Sequence, residues 1–100
     1  MSYAEILGPS EVFLKEGSTL NLTCILLRMP EKPDYINWFH ENDAINFTIR
    51  GGISVTTDKN DRSSTLLLSN TQKDDTGNYT CAPSKATSQS VMVHILNGKL

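Results

Sequence analysis

The sequence predicts an all-β domain, built as a sandwich of two antiparallel sheets bridged by one disulfide. Apolar and polar residues alternate in several short segments, as in STLNLTC, where Leu20, Leu22 and Cys24 would share one face of a strand. Six glycines and four prolines divide the chain into intervals that suit strands better than helices. Cys24 and Cys81 lie 57 positions apart, which favours a long-range disulfide over a zinc site or a redox pair.

The length indicates one domain over residues 1–100, with its core in about 4–97. We interpret Met1 and Ser2 as an added start. A disulfide that closes so long a loop stabilises a small domain by roughly 4 kcal/mol in the loop-entropy account, and it needs an oxidising compartment. The expected setting is therefore the secretory pathway and the cell exterior.

The charge pattern excludes some classes of partner. Nine basic and eleven acidic residues give a net charge of −2, and no run of like charges exceeds the pair Asp74-Asp75. Neither a nucleic acid nor an anionic membrane surface is an expected partner. No segment of the sequence has the length of a membrane span or the features of a signal peptide, so any membrane anchor is expected outside this segment.

The predicted strands follow in order along the chain. The first is broken at Gly8-Pro9, as expected for an edge strand that kinks and changes sheets. Two weaker candidates, 44–49 and 53–57, flank Gly51-Gly52, and residues 71–75 suit a single helical turn. The remaining strands are marked by inward-facing pairs or triplets: Leu20, Leu22 and Cys24; Ile36 and Trp38; Leu66 and Leu68; Tyr79 and Cys81; Val91, Val93 and Ile95.

Four of these residues form a more specific signature. Cys24, Trp38 fourteen positions later, and Tyr79 two positions before Cys81 match the Cys…Trp…Cys pattern and tyrosine corner of an immunoglobulin-like sandwich. The cysteines would bridge the sheets, with Trp38 packed on the bridge. The Tyr79 hydroxyl would hydrogen-bond to backbone in the corner.

Three further residues complete the corner. Gly77 is expected to supply backbone freedom, and Asp75 to accept hydrogen bonds from turn amides or from a cation. Arg50 is the candidate cation. The interval between the cysteines has room for strands C′ and D but is tight for C″, which favours an I-set-like sandwich over a variable one.

Several stretches point to a narrower resemblance. GPSEVFLKEGSTLNLTC, RGGISV, CAPSKATSQSV and VHILNG together resemble the second immunoglobulin domain of the Dpr (defective proboscis extension response) family of insect neuronal cell-surface proteins. The resemblance spans about residues 6–98. It implies a membrane-anchored receptor for neuronal recognition and synapse specificity. It also implies that a distal domain binds the Dpr-interacting proteins, and that this membrane-proximal domain is a spacer.

Three N-glycosylation sequons occur, at Asn21, Asn46 and Asn78. Because Leu22 and Cys24 point inward, Asn21 should point outward from the sheet that holds strands B and E. By the same alternation, Asn78 should point outward from the sheet of strands C, F and G. Asn46 is expected near the C′ edge, where a glycan would block pairing with another chain.

The outer face of strands C, F and G is the candidate partner face, since immunoglobulin receptors commonly bind there. Phe39 and Met92 would anchor a small apolar patch. The alternative interpretation is that scattered exposed apolar residues are ordinary. The residues expected on this face are Asn37, Phe39, Asn78, Thr80, Met92 and His94.

Catalytic and metal chemistry are weakly supported. His40, with Glu41 and Asp43 nearby, lacks ligand spacing, and a loop-end or surface role is favoured for both histidines. The acidic stretch 58–61 lacks the ligand spacing of a calcium loop and suits a solvated D–E turn. No enzymatic activity, cofactor or metal is therefore expected.

Overall fold

The computed structural model describes residues 1–45 and 50–98. Within them the chain forms nine strands and one 3-10 turn, Lys73–Asp75, close to the single turn predicted at 71–75. No helix in this part of the chain is long and apolar enough to cross a membrane. The strands are β1 (Tyr3–Ile6), β2 (Glu11–Lys15), β3 (Leu20–Leu27), β4 (Ile36–His40), β5 (Asp43–Ala44), β6 (Ile53–Asp58), β7 (Ser63–Leu68), β8 (Gly77–Pro83) and β9 (Gln89–Leu96).

The strands form the predicted two-sheet sandwich. One sheet has four strands in the order β1-β3-β7-β6, and the other has five in the order β2-β9-β8-β4-β5. In the usual lettering, β1 to β9 are A, A′, B, C, C′, D, E, F and G. The C-F-G surface predicted from the sequence is therefore the outer face of the five-stranded sheet.

The first strand changes sheets at Gly8-Pro9, as predicted. β1 pairs antiparallel with β3, and β2 then pairs with β9 in the opposite sheet. Gly8 has φ = +102°, in the region that favours glycine, and makes the bend possible. The expectation of two purely antiparallel sheets is wrong in one detail, because β2 runs parallel to β9. The reason is that the chain shifts sideways without reversing direction: β1 already runs parallel to the segment just before β9, at the bridge between Tyr3 and Thr87.

The C′ region is short in the described residues. Of the predicted strand 44–49, the structure shows β5 at Asp43–Ala44, paired with Phe39 and His40 of β4. Residues 46–49, with the Asn46 sequon, lie outside the described residues. The second weak candidate, 53–57, is present as β6.

The core lies between the sheets. A disulfide joins Cys24 of β3 to Cys81 of β8, with 6.4 Å between their Cα atoms. Trp38 faces Cys81 across the β4–β8 pair and is 4% exposed. Residues that alternate along the strands supply the apolar core: Ala4, Ile6, Leu20, Leu22, Cys24, Leu26, Ile36, Trp38, Leu66, Leu68, Tyr79, Cys81, Val91, Val93 and Ile95.

Two buried hydroxyl groups serve this core in ways that the sequence analysis did not predict. Ser64 Oγ accepts a hydrogen bond from the Trp38 indole Nε1 at 2.9 Å. Thr71 is fully buried, and its Oγ1 donates to the Ser18 carbonyl oxygen at 2.9 Å. Because each polar group has a partner, its burial carries little penalty.

Candidate functional site

The tyrosine corner forms at the start of β8. The Tyr79 hydroxyl donates to the carbonyl oxygen of Asp75 at 2.5 Å, and Tyr79 is 1% exposed. Burial, with a smaller effect of the Asp75 charge, raises the pKa of Tyr79 well above its ordinary value. The hydroxyl therefore stays protonated and keeps donating. The corner fixes the entry into β8 and so sets the positions of the side chains on the outer face.

Arg50 and Asp75 form the ion pair that the sequence suggested. Arg50 Nε and Nη2 donate to the two carboxylate oxygens of Asp75, each at 2.7 Å, in a bidentate pair. The same guanidinium donates to the carbonyl oxygens of Gly51 and Ser69. Arg50 therefore connects the segment before β6 with the turn before β8.

The pair shifts both pKa values. Burial acts to raise the pKa of Asp75, but hydrogen bonds from Arg50 and from the Gln72 backbone amide outweigh it, so this pKa lies below the ordinary aspartate value. The hydrogen bond to Asp75 raises the pKa of Arg50. Both groups are charged at neutral pH, and their role is to hold the corner together.

His40 and Glu41 pack against the same corner. The His40 ring stacks on Tyr79 with 4.6 Å between centroids, and its Nε2 donates to the Thr76 carbonyl oxygen at 3.0 Å. A Glu41 carboxylate oxygen accepts from the Asn78 amide at 3.0 Å. Among residues 1–45 and 50–98, no group of three or more His, Cys, Asp or Glu could hold a metal ion. The arrangement gives His40 a packing role at the end of β4.

Gly77 is required here for two reasons. Its backbone φ is +142°, a value that residues with a side chain rarely adopt. A Cβ at this position would also lie 2.8 Å from His40 Nε2 and 3.1 Å from the Glu41 carboxylate. The sequence suggested the first reason. The second needs the fold, because it depends on strand β4 lying beside β8.

Alternation along the strands places the predicted partner residues on the outer face. Asn37 and Asn78 are exposed, and Phe39, Met92 and His94 are partly exposed. The face does not bring all of them together. Phe39 pairs with Thr80 of β8, and Met92 pairs with Asn78 of the same strand, so β8 runs between the two apolar side chains.

The most exposed aromatic residue on this face was missed from the sequence. Phe13 of β2 is 58% exposed and stacks on His94 with 4.6 Å between ring centroids. His94 Nε2 also donates to a Glu11 carboxylate oxygen at 2.9 Å. The signal was available, because Val12 and Leu14 point toward the core and Phe13 between them must point outward.

Two of the three sequon asparagines lie in strands with exposed side chains. Asn21 is on the outer side of the four-stranded sheet, and Asn78 is on the outer face of the five-stranded sheet. The two sequons thus lie on opposite sides of the sandwich.

A disulfide-bridged two-sheet sandwich with a tryptophan beside the bridge and a tyrosine corner defines an immunoglobulin-type domain. The sequence agrees with the geometry, since the family model described as "Immunoglobulin domain" matches residues 10–93. The chain belongs to the immunoglobulin domain family. No curated protein matches the chain.

Solved structures share the fold. One chain in the crystal structure of Dpr2 Ig1-Ig2 in complex with DIP-Theta Ig1-Ig3 is 31% identical, with a TM-score of 0.75; the match covers 96% of this chain and 50% of that one. A chain in the structure of Dpr1 IG1 bound to DIP-eta IG1 is 19% identical, with a TM-score of 0.76 and coverage of 96% and 97%. The first immunoglobulin domain of the mouse polymeric immunoglobulin receptor is 18% identical, with a TM-score of 0.75 and coverage of 95% and 96%.

The three TM-scores are nearly equal, although the identities differ. The similarity to the Dpr1 complex and to the polymeric immunoglobulin receptor, each below 20% identity, therefore shows a shared fold and nothing more. The match to the Dpr2 complex adds sequence similarity over nearly the whole of this chain, which spans half the length of the chain it matches.

Proposed function

We propose that this is an extracellular domain of a neuronal cell-surface recognition and adhesion receptor. In this proposal it is mainly a glycosylated, membrane-proximal spacer that supports a distal partner-binding domain. The observation that carries the proposal is the 31% identity over 96% of the chain to half of a chain in the Dpr2–DIP-Theta complex. The motifs that resemble the second immunoglobulin domain of the Dpr family support the proposal that this chain corresponds to the membrane-proximal domain.

The partners of the full receptor would be immunoglobulin-superfamily cell-surface proteins of the Dpr-interacting type, bound through the distal domain. The Cys24–Cys81 bridge supports placement in the secretory pathway and outside the cell, and the resemblance to the Dpr family supports the neuronal plasma membrane as the location. The tether to the membrane would lie outside this segment. No catalytic role is proposed, because His40, Asp75 and Tyr79 are all engaged in packing the corner.

The position of Asn78 supports a spacer over a binding domain. Asn78 lies near the start of β8, the central strand of the five-stranded sheet; it is opposite Met92 of β9, and Phe39 lies on the neighbouring strand β4. A glycan there would cover the surface between the two apolar residues. Partner binding across this face would then require the glycan to be absent or displaced.

The test is site-resolved glycan occupancy on the domain secreted from insect cells, combined with binding of the DIP-Theta Ig1-Ig3 fragment. We expect Asn78 to be glycosylated and the isolated domain not to bind. Asn78→Gln serves as the matched variant with the face uncovered. If wild-type protein carries no glycan at Asn78 and binds the fragment, the spacer role is wrong.

A second candidate function is that the domain itself binds a protein through its C-F-G face. The observation that favours it is the exposed Phe13 stacked on His94, which extends the face onto β2. Under this alternative, Phe13→Asp and Phe39→Asp each abolish binding. Thr56→Asp, on the exposed edge strand of the other sheet, is the matched control and should leave binding intact.

A further inference from the structure

Each of the two cysteines directly follows an N-glycosylation sequon, and the disulfide joins them. Cys24 ends the stretch Asn21-Leu22-Thr23-Cys24, and Cys81 ends Asn78-Tyr79-Thr80-Cys81. Each half of the single disulfide therefore follows directly after a glycan acceptor sequon. Closing one bond fixes both acceptor segments in place.

The first acceptor segment is enclosed in its sheet. Strand β3 lies between β1 and β7. The sequon pairs along its whole length with β7, and on the other side the Thr23 carbonyl oxygen accepts from the backbone amide of Leu7, just after β1, at 2.9 Å. Leu22, the middle residue of the sequon, is 3% exposed. The sequon hydroxyl, Thr23 Oγ1, shares a hydrogen bond with Thr65 Oγ1 at 3.3 Å.

The second acceptor segment is held more completely, because Tyr79 and Thr80 pair with a neighbouring strand on each side. Strand β8 lies between β9 and β4, and its middle sequon residue, Tyr79, is 1% exposed. Thr80 Oγ1 shares a hydrogen bond with Ser90 Oγ at 2.6 Å. The backbone amide of Asn78 donates a hydrogen bond to the Glu41 carboxylate, and the backbone carbonyl oxygen of Asn78 accepts one from the Glu41 backbone amide.

Transfer of a glycan to a sequon requires that segment to be free of its sheet and accessible to the transferase. The reaction joins the asparagine Nδ2 to the anomeric carbon of an oligosaccharide and breaks the bond from that carbon to a lipid pyrophosphate. The lipid pyrophosphate leaves, and the amide proton passes to a base of the transferase. Because the sequon includes a hydroxyl residue, the transferase must bind the asparagine and the threonine at the same time. Central strands release such a segment only on global opening, populated in roughly 10⁻³ to 10⁻⁶ of molecules.

We propose that formation of the Cys24–Cys81 disulfide closes the period in which Asn21 and Asn78 can be glycosylated, so that oxidative folding sets the glycan occupancy of the domain. This rests on the proposed extracellular, glycosylated role. Asn21 and Asn78 are accessible to the transferase for different lengths of time before the disulfide forms. Asn21 is synthesised 57 residues before Asn78, which gives it roughly 3 to 11 s more at usual synthesis rates before the disulfide can form. At its fastest, disulfide formation takes seconds, which is the same scale as this difference in time.

The first experiment is synthesis of the chain behind a cleavable signal sequence in microsomes that contain the lipid-linked donor. Occupancy is read by peptide mass spectrometry after enzymatic deglycosylation in heavy-oxygen water. We expect Asn78 to be occupied about twofold less than Asn21, in line with its shorter window. Dithiothreitol, or the double substitution Cys24→Ser and Cys81→Ser, should raise Asn78 to the level of Asn21. This readout does not require the variant to fold.

The second experiment uses unglycosylated domain from bacteria with a purified transferase and the lipid-linked donor. The oxidised, folded domain should accept glycan at least about 10³-fold more slowly than the reduced, cysteine-alkylated chain. Equal rates would overturn the inference. So would an Asn78 occupancy that does not respond to loss of the disulfide, although glycans at both sites would leave the proposed function standing. Absence of glycan from both sites, even in the cysteine-free chain, would overturn both proposals.

Discussion

Replacement of Arg50 by alanine tests the central claim about the corner, that one guanidinium holds the segment before β6 to the turn before β8. The change removes both hydrogen bonds to Asp75 and those to the carbonyl oxygens of Gly51 and Ser69. Asp75 would keep only the Gln72 amide as a donor among the contacts described. A carboxylate would then be buried without its cation.

The size of the effect follows from the exposure of the pair. The Asp75 side chain is 7% exposed and that of Arg50 is 25% exposed. Breaking a buried pair costs about 3–5 kcal/mol, and an exposed pair contributes about 0–1 kcal/mol. For this intermediate case we expect the free energy of unfolding to fall by about 2–4 kcal/mol. In a domain of this size, that lowers Tm by about 8–32 °C.

The loss must also depend on pH. A carboxyl group with a lowered pKa contributes stability that is fully present above its unfolded pKa of about 4 and is lost as the pH falls through its folded value. The pKa of Asp75 is lowered in this way in the wild-type protein. Without Arg50, burial remains and the pKa rises. The difference between wild type and variant should therefore be largest near neutral pH and shrink below about pH 4.

Urea unfolding followed by the fluorescence of the single tryptophan, Trp38, measures this difference. Arg50→Lys is the control, because lysine keeps the charge but cannot form the bidentate pair, and its stability should be intermediate. Two results would refute the reasoning. One is a loss below about 1 kcal/mol at neutral pH, the upper bound for an exposed pair. The other is a loss that stays constant down to about pH 3.

Three further predictions concern the core and the corner. Reduction of the Cys24–Cys81 bridge should lower the free energy of unfolding by about 4 kcal/mol, and an unchanged melting curve after verified reduction would contradict this. Gly77→Ala should cost about 1–3 kcal/mol from backbone strain, plus the displacement of His40, whereas Gly51→Ala, in open space, should cost much less in the same thermal melts. Ser64→Ala should cost about 1–3 kcal/mol in urea unfolding, because the Trp38 indole loses its acceptor; equal stability would mean that another acceptor replaces it.

Much of the fold was predictable because period-two alternation and the cysteine signature specify which residues face inward. Cys24, Trp38, Tyr79 and Cys81 are all buried in one core. The change of sheets at Gly8-Pro9 was also predicted, since proline and glycine interrupt that strand. The parallel pairing of β2 was not, because alternation gives the inward face of a strand but not the direction of its neighbour.

The candidate site was predicted less completely. The sequence identifies Phe39 and Met92 as outward-facing, but only the register of β4, β8 and β9 shows that another strand separates them. Phe13 could have been found by the same alternation. The stack of His40 on Tyr79 could not, because it joins two residues 39 positions apart through a pairing that no local pattern contains.

The division of the first strand between the sheets also determines how the domain responds to pulling. β2 runs parallel to β9, and five residues of each, Glu11–Lys15 and Met92–Leu96, are in register. Tension applied between the two ends of the chain loads this pair in shear, since the strands are pulled in opposite directions along their length. Hydrogen bonds loaded in shear share the force and must yield together, whereas a hairpin opened from its end loses them one at a time. The edge pairing that closes the sandwich is thus also the element that bears load when the domain is stretched.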